Sequence, residues 1–113
     1  MDDRRTDSRL LCADLVETEF KDRTGRRRVE TANLEDISSS GACLQMEIPI
    51  AVGTPVRIKH GKGLLSGRVR YCVFREIGYF VGVEFEPGHK WTQKQFRPMH
   101  LLDPRRVGLK PRA

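Results

Sequence analysis

The stretch that decides the fold is residues 64–85, which read LLSGRVRYCVFREIGYFVGVEF. Apolar and polar residues alternate with a period of two on both sides of Glu76-Ile77-Gly78. Such alternation around turn residues is typical of a β-hairpin. It predicts two strands, Leu64–Phe74 and Gly78–Phe85, joined by a tight turn.

The alternation also assigns side chains to the two faces of the first strand. Arg68 and Arg70 are predicted to lie on one side, and Val69, Tyr71 and Val73 on the other. The aromatic and branched residues of this strand are therefore expected to pack inside the protein.

The same reading extends towards the N-terminus, where turn residues separate four further strand-like runs. Gly67 and Gly82 lie inside strands, where glycine usually marks a bulge, a bend or a close approach of backbone. Sharp bends of this kind are what closing a small barrel requires. The predicted fold class is all-β, a six-stranded antiparallel β-barrel with a short C-terminal helix. The four further strands are Leu11–Phe20, Val29–Leu34, Gly41–Met46 and Pro55–Lys59.

The spacing of residues changes after Phe85. Trp91, Lys94 and Gln95 recur at helical spacing, which predicts a short helix from about Lys90 to Arg97 that ends before Pro98. Trp91 is expected to cover an open end of the barrel. The predicted domain covers residues 1–103, with an N-terminal arm of residues 1–9, and residues 104–113 form a basic tail.

The composition is that of one globular domain with a charge-rich surface. The chain has 113 residues, of which 38% are hydrophobic and 32% charged, and its net charge is +6. It contains no apolar run of membrane-spanning length and no signal-peptide core, so the expected location is the cytoplasm without membrane insertion. The excess of positive charge favours an anionic partner, although bases on strand edges also guard against aggregation.

The residue types that carry catalysis are scattered. Cys12, Cys43 and Cys72 lie in separate strand-like runs without a CxxC pair, which favours small buried side chains over a metal site. The histidines show no spacing that indicates a nucleophile or a metal, and phosphate-binding loop motifs are absent. The sequence therefore predicts a binding protein, without enzyme activity, metal or cofactor.

Two short motifs are the candidate ligand site. Arg5 and Arg9 form an RxxxR motif preceded by Arg4, and residues 36–41, DISSSG, form a DxSxxG motif. Each motif has a plainer explanation, because arginines near Asp2 and Asp7 can be a solvated terminus and DxSxxG can be a simple turn. The order of the motifs, their spacing of about 30 residues and the six-strand pattern must be weighed together.

Together these features resemble the PilZ domain family, and the run GYFVGVEF at residues 78–85 is similar to that family's last strand. The resemblance implies a PilZ-like split barrel that binds cyclic di-GMP on its outer surface and signals to a protein partner. Carried over, the ligand-binding residues are Arg4, Arg5, Arg9, Asp36, Ser38 and Gly41. A base before the motif, as Arg4 is here, is similar to members that bind two intercalated ligand molecules.

The chemistry of these residues suits such a ligand. Arginine can bind O6 and N7 of guanine in a bidentate manner, stack on a purine and pair with phosphate. A carboxylate at Asp36 can accept from the guanine N1–H and amino group, which adenine does not present. Ser38 can bind the ligand or hold its own loop, and Gly41 permits close approach.

Two other functions are compatible with the sequence. The chain can be a PilZ-like adaptor that contacts proteins without binding the nucleotide, which needs no arginine arm. It can also be a small basic barrel that binds nucleic acid, as the pI of about 9.7 permits. Against the latter, aromatic residues make up 7% of the chain, which is few for base stacking.

Overall fold

The computed structural model describes residues 9–87 and the backbone of residues 101–102. Every regular element in these ranges is a β-strand, so the all-β prediction is confirmed. The strands are β1 (Leu10–Lys21), β2 (Arg27–Ile37), β3 (Gly41–Met46), β4 (Pro55–His60), β5 (Gly63–Arg75), β6 (Gly78–Phe85) and β7 (Leu101–Leu102).

Strands β1 to β6 form a closed antiparallel barrel, as the sequence predicted. Neighbours follow the order β2-β3-β6-β5-β4-β1, and β1 pairs again with β2 to complete the ring. Closure depends on the length of β1. Its second half, Glu17–Phe20, pairs with β4, while Leu11 and Cys12 pair with the two-residue strand β7, which the sequence pattern did not reveal. A closed ring leaves fewer unpaired backbone groups than an open sheet would.

Alternate side chains from all six strands fill the barrel. Fully buried residues such as Leu34, Leu44, Ile58 and Val81 form one apolar cluster. Thr18 is also completely buried, and its Oγ1 has no hydrogen-bond partner within the described part of the chain. The core is therefore apolar apart from single polar groups that the β1 alternation brings inside.

A bulge in β2 changes which side chains reach the surface. Leu34 faces the core, and strict alternation would then place Asp36 inside as well. The β2–β3 register gains one residue between Leu34 and Asp36, at Glu35, so that Ile37 faces the core and Asp36 faces out. Bulges re-aim side chains in this way and are frequent beside functional sites.

A second bulge corrects the predicted faces of β5. The β5–β6 register shifts between Val69 and Tyr71, at Arg70. Val69 is buried as predicted, but Tyr71 and Val73 lie on the outer face and are 43% and 42% exposed. The prediction that they pack inside the barrel was wrong because a period of two holds only up to the bulge.

Two strand glycines permit close contacts, as the sequence suggested. A Cβ at Gly67 would overlap the backbone carbonyl of Glu84 on β6. A Cβ at Gly82 would overlap the ring of Tyr71. The first glycine allows two strands to approach at the barrel wall, and the second makes room for an outward aromatic ring.

The predicted helix at about residues 90–97, its Trp91 and the proposed boundary between residues 103 and 104 lie outside the described residues. None of the described segments is a helix long and apolar enough to cross a membrane.

Candidate functional site: a polar row on the outer face of the barrel

The DxSxxG loop connects β2 to β3 and is organised by Ser38. The side chain is completely buried, and its Oγ accepts hydrogen bonds from the backbone N–H groups of Ser40 and Gly41, both at 3.3 Å. The Ser38 backbone N–H donates to the Gly41 carbonyl at 2.8 Å. The sequence left two roles open for Ser38, binding the ligand or holding its own loop. These contacts show that Ser38 holds its own loop.

Gly41 fixes this loop against the last barrel strand. A Cβ at position 41 would stand 2.5 Å from the carbonyl oxygen of Val83. The Phe85 N–H also donates to the carbonyl of Ser40 at 2.8 Å. The absence of a side chain at Gly41 therefore lets the loop sit directly on β6.

Arg9 and Asp36 join the two sequence motifs. The guanidinium of Arg9 donates a hydrogen bond to Oδ1 of Asp36 and forms an ion pair with it, although 27 residues separate them in the chain. The Arg9 side chain is 51% exposed and that of Asp36 is 21% exposed. The second arginine of RxxxR thus meets the first residue of DxSxxG at the protein surface.

Asp36 belongs to a row of residues that crosses four strands on the outer face. It pairs with Cys43 on β3, Cys43 pairs with Gly82 on β6, and Gly82 pairs with Tyr71 on β5. Because Gly82 has no side chain, the Tyr71 ring lies over it and its hydroxyl hydrogen-bonds with the Cys43 thiol. Cys43 is buried by its neighbours although it points outwards. We call Asp36, Cys43, Gly82 and Tyr71 the outer row.

The electrostatics of the outer row keep its weak acids protonated. Burial raises the pKa of Tyr71 to about 12, followed in size by the hydrogen bond and charge interaction with Cys43 and then by the charge of Asp36, while Arg9 acts in the opposite direction. Burial also raises the pKa of the Cys43 thiol. On the other side of Asp36, burial and the charge of Asp14 raise the pKa of Cys12 to about 12. Unperturbed thiols and phenols are already mostly neutral near pH 7, and the raised pKa values keep these groups protonated to higher pH.

The structure brings together four of the six predicted site residues. Arg9, Asp36, Ser38 and Gly41 lie within one surface region, whereas Arg4 and Arg5 lie outside the described residues. Sequence reasoning missed Tyr71 as a member of this region. Its neighbour Gly82 was the available signal, because a glycine inside a strand indicates that something approaches the backbone there.

No cluster of three or more potential metal ligands occurs among the residues that the structure describes. All three cysteines are free, and Cys43 is buried as expected, while Cys12 and Cys72 are half-buried. Elsewhere, His60 contacts the buried Asp14 at 3.0 Å. A cavity lies further along β1, between the β1–β2 turn and the β3–β4 loop.

A small closed barrel with an arginine–carboxylate pair and a serine-braced glycine loop on its outer face defines a class of binding domain. The profile of the PilZ domain matches residues 3–97, which include all six predicted site residues. The chain belongs to the PilZ domain family, whose members are binding and adaptor modules that generally bind cyclic di-GMP. Comparison with curated proteins finds none that matches the chain.

Proposed function

We propose that this protein is a receptor for cyclic di-GMP, that it binds the dinucleotide on the outer row with help from the arginine arm, and that it signals to a protein partner. The observation that carries the proposal is the contact between Arg9 and Asp36. It supports one shared site for two motifs that are far apart in the sequence. The family match supports the choice of ligand.

The ion pair suggests how the ligand enters. In the structure Arg9 donates a hydrogen bond to Oδ1 of the Asp36 carboxylate. The N1–H and amino group of a guanine offer the same two-donor pattern to a carboxylate, so the base can replace the guanidinium there. Arg9 is then released to bind phosphate or the O6 and N7 edge. An exposed ion pair contributes only about 0–1 kcal/mol, so this exchange costs little.

The remaining residues have separate roles in this proposal. Arg5 and Arg4 bind phosphate and guanine from the arm, and Arg4 makes a second ligand molecule possible. Ser38 is a positioning residue that holds the loop next to Asp36, and Gly41 keeps that loop close to β6. Tyr71 adds an exposed aromatic ring in the same row, on which a purine can stack.

Ordering of the arm over the ligand is the proposed output. A segment that binds a charged ligand loses conformational freedom, and charge-assisted hydrogen bonds offset that loss. The ordered arm and the ligand together present a surface that a partner can distinguish from the free form, and such a difference in contact is what transmits a signal. A cytoplasmic location and the absence of catalysis are part of this proposal.

Calorimetric titration tests the proposal, with cyclic di-AMP and GTP as control ligands. We expect micromolar or tighter binding of cyclic di-GMP and at least about 100-fold weaker binding by the double variant Arg5→Ala/Arg9→Ala, because two charged hydrogen-bonding groups are lost. The matched control is Arg23→Ala/Arg27→Ala, which removes an RxxxR pair of equal spacing from the β1–β2 turn region.

The outcomes separate the three functions considered. Equal loss in both double variants indicates a general charge effect instead of a site. Absence of heat and of a melting-temperature shift at a large excess of cyclic di-GMP favours the adaptor that does not bind the nucleotide. Tight binding of unrelated oligonucleotides with steep salt dependence favours the nucleic-acid-binding barrel.

A further inference from the structure

The end of the barrel away from the DxSxxG loop is an open cavity of about 720 Å³. It lies between the β1–β2 turn and the β3–β4 loop, and Ile48, Pro49, Ile50 and Tyr79 contribute apolar walls. The strand β1 separates this cavity from the outer row, because Leu11 pairs with Asp36 at one end of β1 and Phe20 lines the cavity at the other. We call this cavity the lower mouth.

Three of the four most exposed large apolar side chains among the described residues lie at this end, the fourth being Leu15. Val52 lines the lower mouth and is 67% exposed. Phe74 is 63% exposed and packs edge-on against Tyr79 of the cavity wall, with ring centroids 5.0 Å apart. Ile77, in the neighbouring β5–β6 turn, is 70% exposed. Exposed apolar residues gathered in one region and rimmed by polar ones mark an interaction site.

The rim of the lower mouth is basic. Lys21, Arg23 and Arg28 line it, and Asp22 is the single carboxylate among its lining residues. Asp22 turns its Oδ1 into its own loop, where it accepts hydrogen bonds from the backbone N–H of Thr24 at 2.9 Å and from the Thr24 hydroxyl at 2.6 Å. Arg28 is ion-paired with Glu30 at 2.6 Å and with Asp22 at 3.7 Å, so the positive charge that the rim presents to a partner comes from Lys21 and Arg23. That charge favours an acidic partner.

Two segments outside the described residues do not complement the lower mouth in charge or side-chain type. Residues 104–113 contain four basic residues and no acidic one, so the positive rim repels them. Residues 1–8 lack aromatic and branched aliphatic side chains, and they enter β1 at the opposite end of the strand. A third segment, residues 88–100, follows Phe85, which contacts Ser40, and precedes Leu101, which pairs with Cys12, so both of its flanks lie at the opposite end of the barrel. Nucleic acid fits the charge, but aliphatic side chains outnumber aromatic ones in the lining, where only Phe20, which is buried, and Tyr79 could stack on a base.

We propose that the lower mouth binds an acidic segment of a partner protein, with an aliphatic or aromatic side chain of that segment inserted between the β3–β4 loop and Tyr79. Carboxylates on either side of this anchor pair with Arg23 and Lys21 on the rim. The interaction surface lies at the opposite end of the barrel from the nucleotide site. It goes beyond nucleotide recognition and does not require it, so one chain can hold a ligand and a partner at the same time.

Fluorescence anisotropy with three labelled peptides of equal length tests the proposal. The first, EDELFDE, carries acids and an apolar pair; the second, KKKLFKK, reverses the charge; the third, EDESSDE, lacks the apolar pair. We expect saturable binding of the first with Kd of about 100 μM, and at least about tenfold weaker binding of the other two. Amide shifts in isotope-labelled protein should fall on residues 21–24 and 48–54.

Two exposed turn residues give a matched pair of variants. Arg23→Glu reverses a charge on the rim, whereas Lys62→Glu makes the same change of charge in the β4–β5 turn at the other end of the barrel. We expect Arg23→Glu to weaken EDELFDE binding at least about tenfold and Lys62→Glu to change it less than about twofold. A third variant, Val52→Ser, tests the apolar contact at an exposed position where folding is not at risk.

Each outcome decides the proposal. Failure of EDELFDE to saturate at about 2 mM, equal effects of both charge reversals, or amide shifts confined to the outer row would overturn it. Preference for a labelled oligonucleotide over the acidic peptide would also overturn it. Titration of the same variants with cyclic di-GMP keeps the two proposals separate, because Arg23→Glu should leave nucleotide affinity unchanged whether or not the peptide binds.

Discussion

The ring of Tyr71 lies against the backbone of Gly82, in the space that a side chain at position 82 would occupy. The two residues are partners in the β5–β6 register, and the bulge at Arg70 turns the ring towards that space. The ring and its hydroxyl in turn cover Cys43. The position of the Tyr71 ring, and its cover over Cys43, therefore depend on the absence of a side chain at Gly82.

Replacing Gly82 with Ala should move the ring while leaving the barrel folded. Tyr71 is partly exposed and can rotate away, so we expect a loss of less than about 1.5 kcal/mol in the free energy of unfolding. Cys43 should become accessible, and affinity for cyclic di-GMP should fall about tenfold. Urea unfolding, alkylation of Cys43 followed by mass spectrometry, and calorimetry measure the three effects.

Gly67→Ala is the contrasting variant. There the new Cβ meets the carbonyl of Glu84, which is backbone and has nowhere to rotate. We expect it to destabilise the protein by more than about 2 kcal/mol without a specific increase in Cys43 alkylation under native conditions. Similar stability losses in the two glycine variants would contradict the distinction between a mobile ring and fixed backbone.

Ser38→Ala should lower both stability and ligand affinity. The change removes the acceptor for the N–H groups of Ser40 and Gly41. Gly41 is buried, and a buried N–H left without a partner costs about 1–3 kcal/mol. Urea unfolding and calorimetric titration of the same sample measure both effects. Ser38→Thr retains the hydroxyl and should recover part of the affinity if loop geometry is what matters. Equal affinity of wild-type protein and Ser38→Ala would contradict a positioning role.

Thr18→Val should stabilise the barrel. The Thr18 hydroxyl is buried without a partner among the described residues, and Val has nearly the same shape without the polar group. We expect a gain of about 1 kcal/mol, read as a higher midpoint of urea unfolding. Thr31→Val, on the exposed part of β2, is the control and should change stability by less than about 0.5 kcal/mol. A loss of stability in Thr18→Val would show that the hydroxyl has a partner in the folded protein.

Alkaline pH should destabilise the protein partly through Cys12. The pKa of its thiol is raised from 9.0 to about 12, chiefly by burial, so the folded form keeps a proton that the unfolded chain releases. The stability linked to this thiol is fully present below about pH 9 and is lost as pH rises towards 12. The urea midpoint should therefore fall with pH above 9, and less steeply in Cys12→Ala. Parallel pH profiles of the two proteins would rule out this contribution.

Much of the fold follows from local patterns in the sequence. Alternation and turn glycines predicted the six barrel strands and their hairpins, because both signals act between residues close in the chain. The outward turn of Tyr71 was not predictable in the same way. It depends on Arg70, which is an extra residue in β5 relative to β6. The apolar–polar pattern of one strand does not show where the neighbouring strand has fewer residues. The strand β7 has two residues, which is too short for any periodicity.

The candidate site was predictable in its composition more than in its arrangement. Arg9 and Asp36 were identified by motif, but their contact requires β1 to lie beside the end of β2. The loop-holding contacts of Ser38 require that it be buried, which a DxSxxG pattern alone leaves open. Tyr71 joins the row only through pairings across β3 and β6.

The position of β6 between β3 and β5 also determines when the protein can fold. Both neighbours precede it in the chain, and each leaves an edge unpaired until residues 78–85 have been added. Hairpins such as β1–β2 and β4–β5 can form early, whereas the pairing of β3 with β6 joins residues about 40 positions apart and is slow. We therefore expect the β1–β2 and β4–β5 hairpins to form before β3 pairs with β6 during synthesis, and the core to close only after β6 is available.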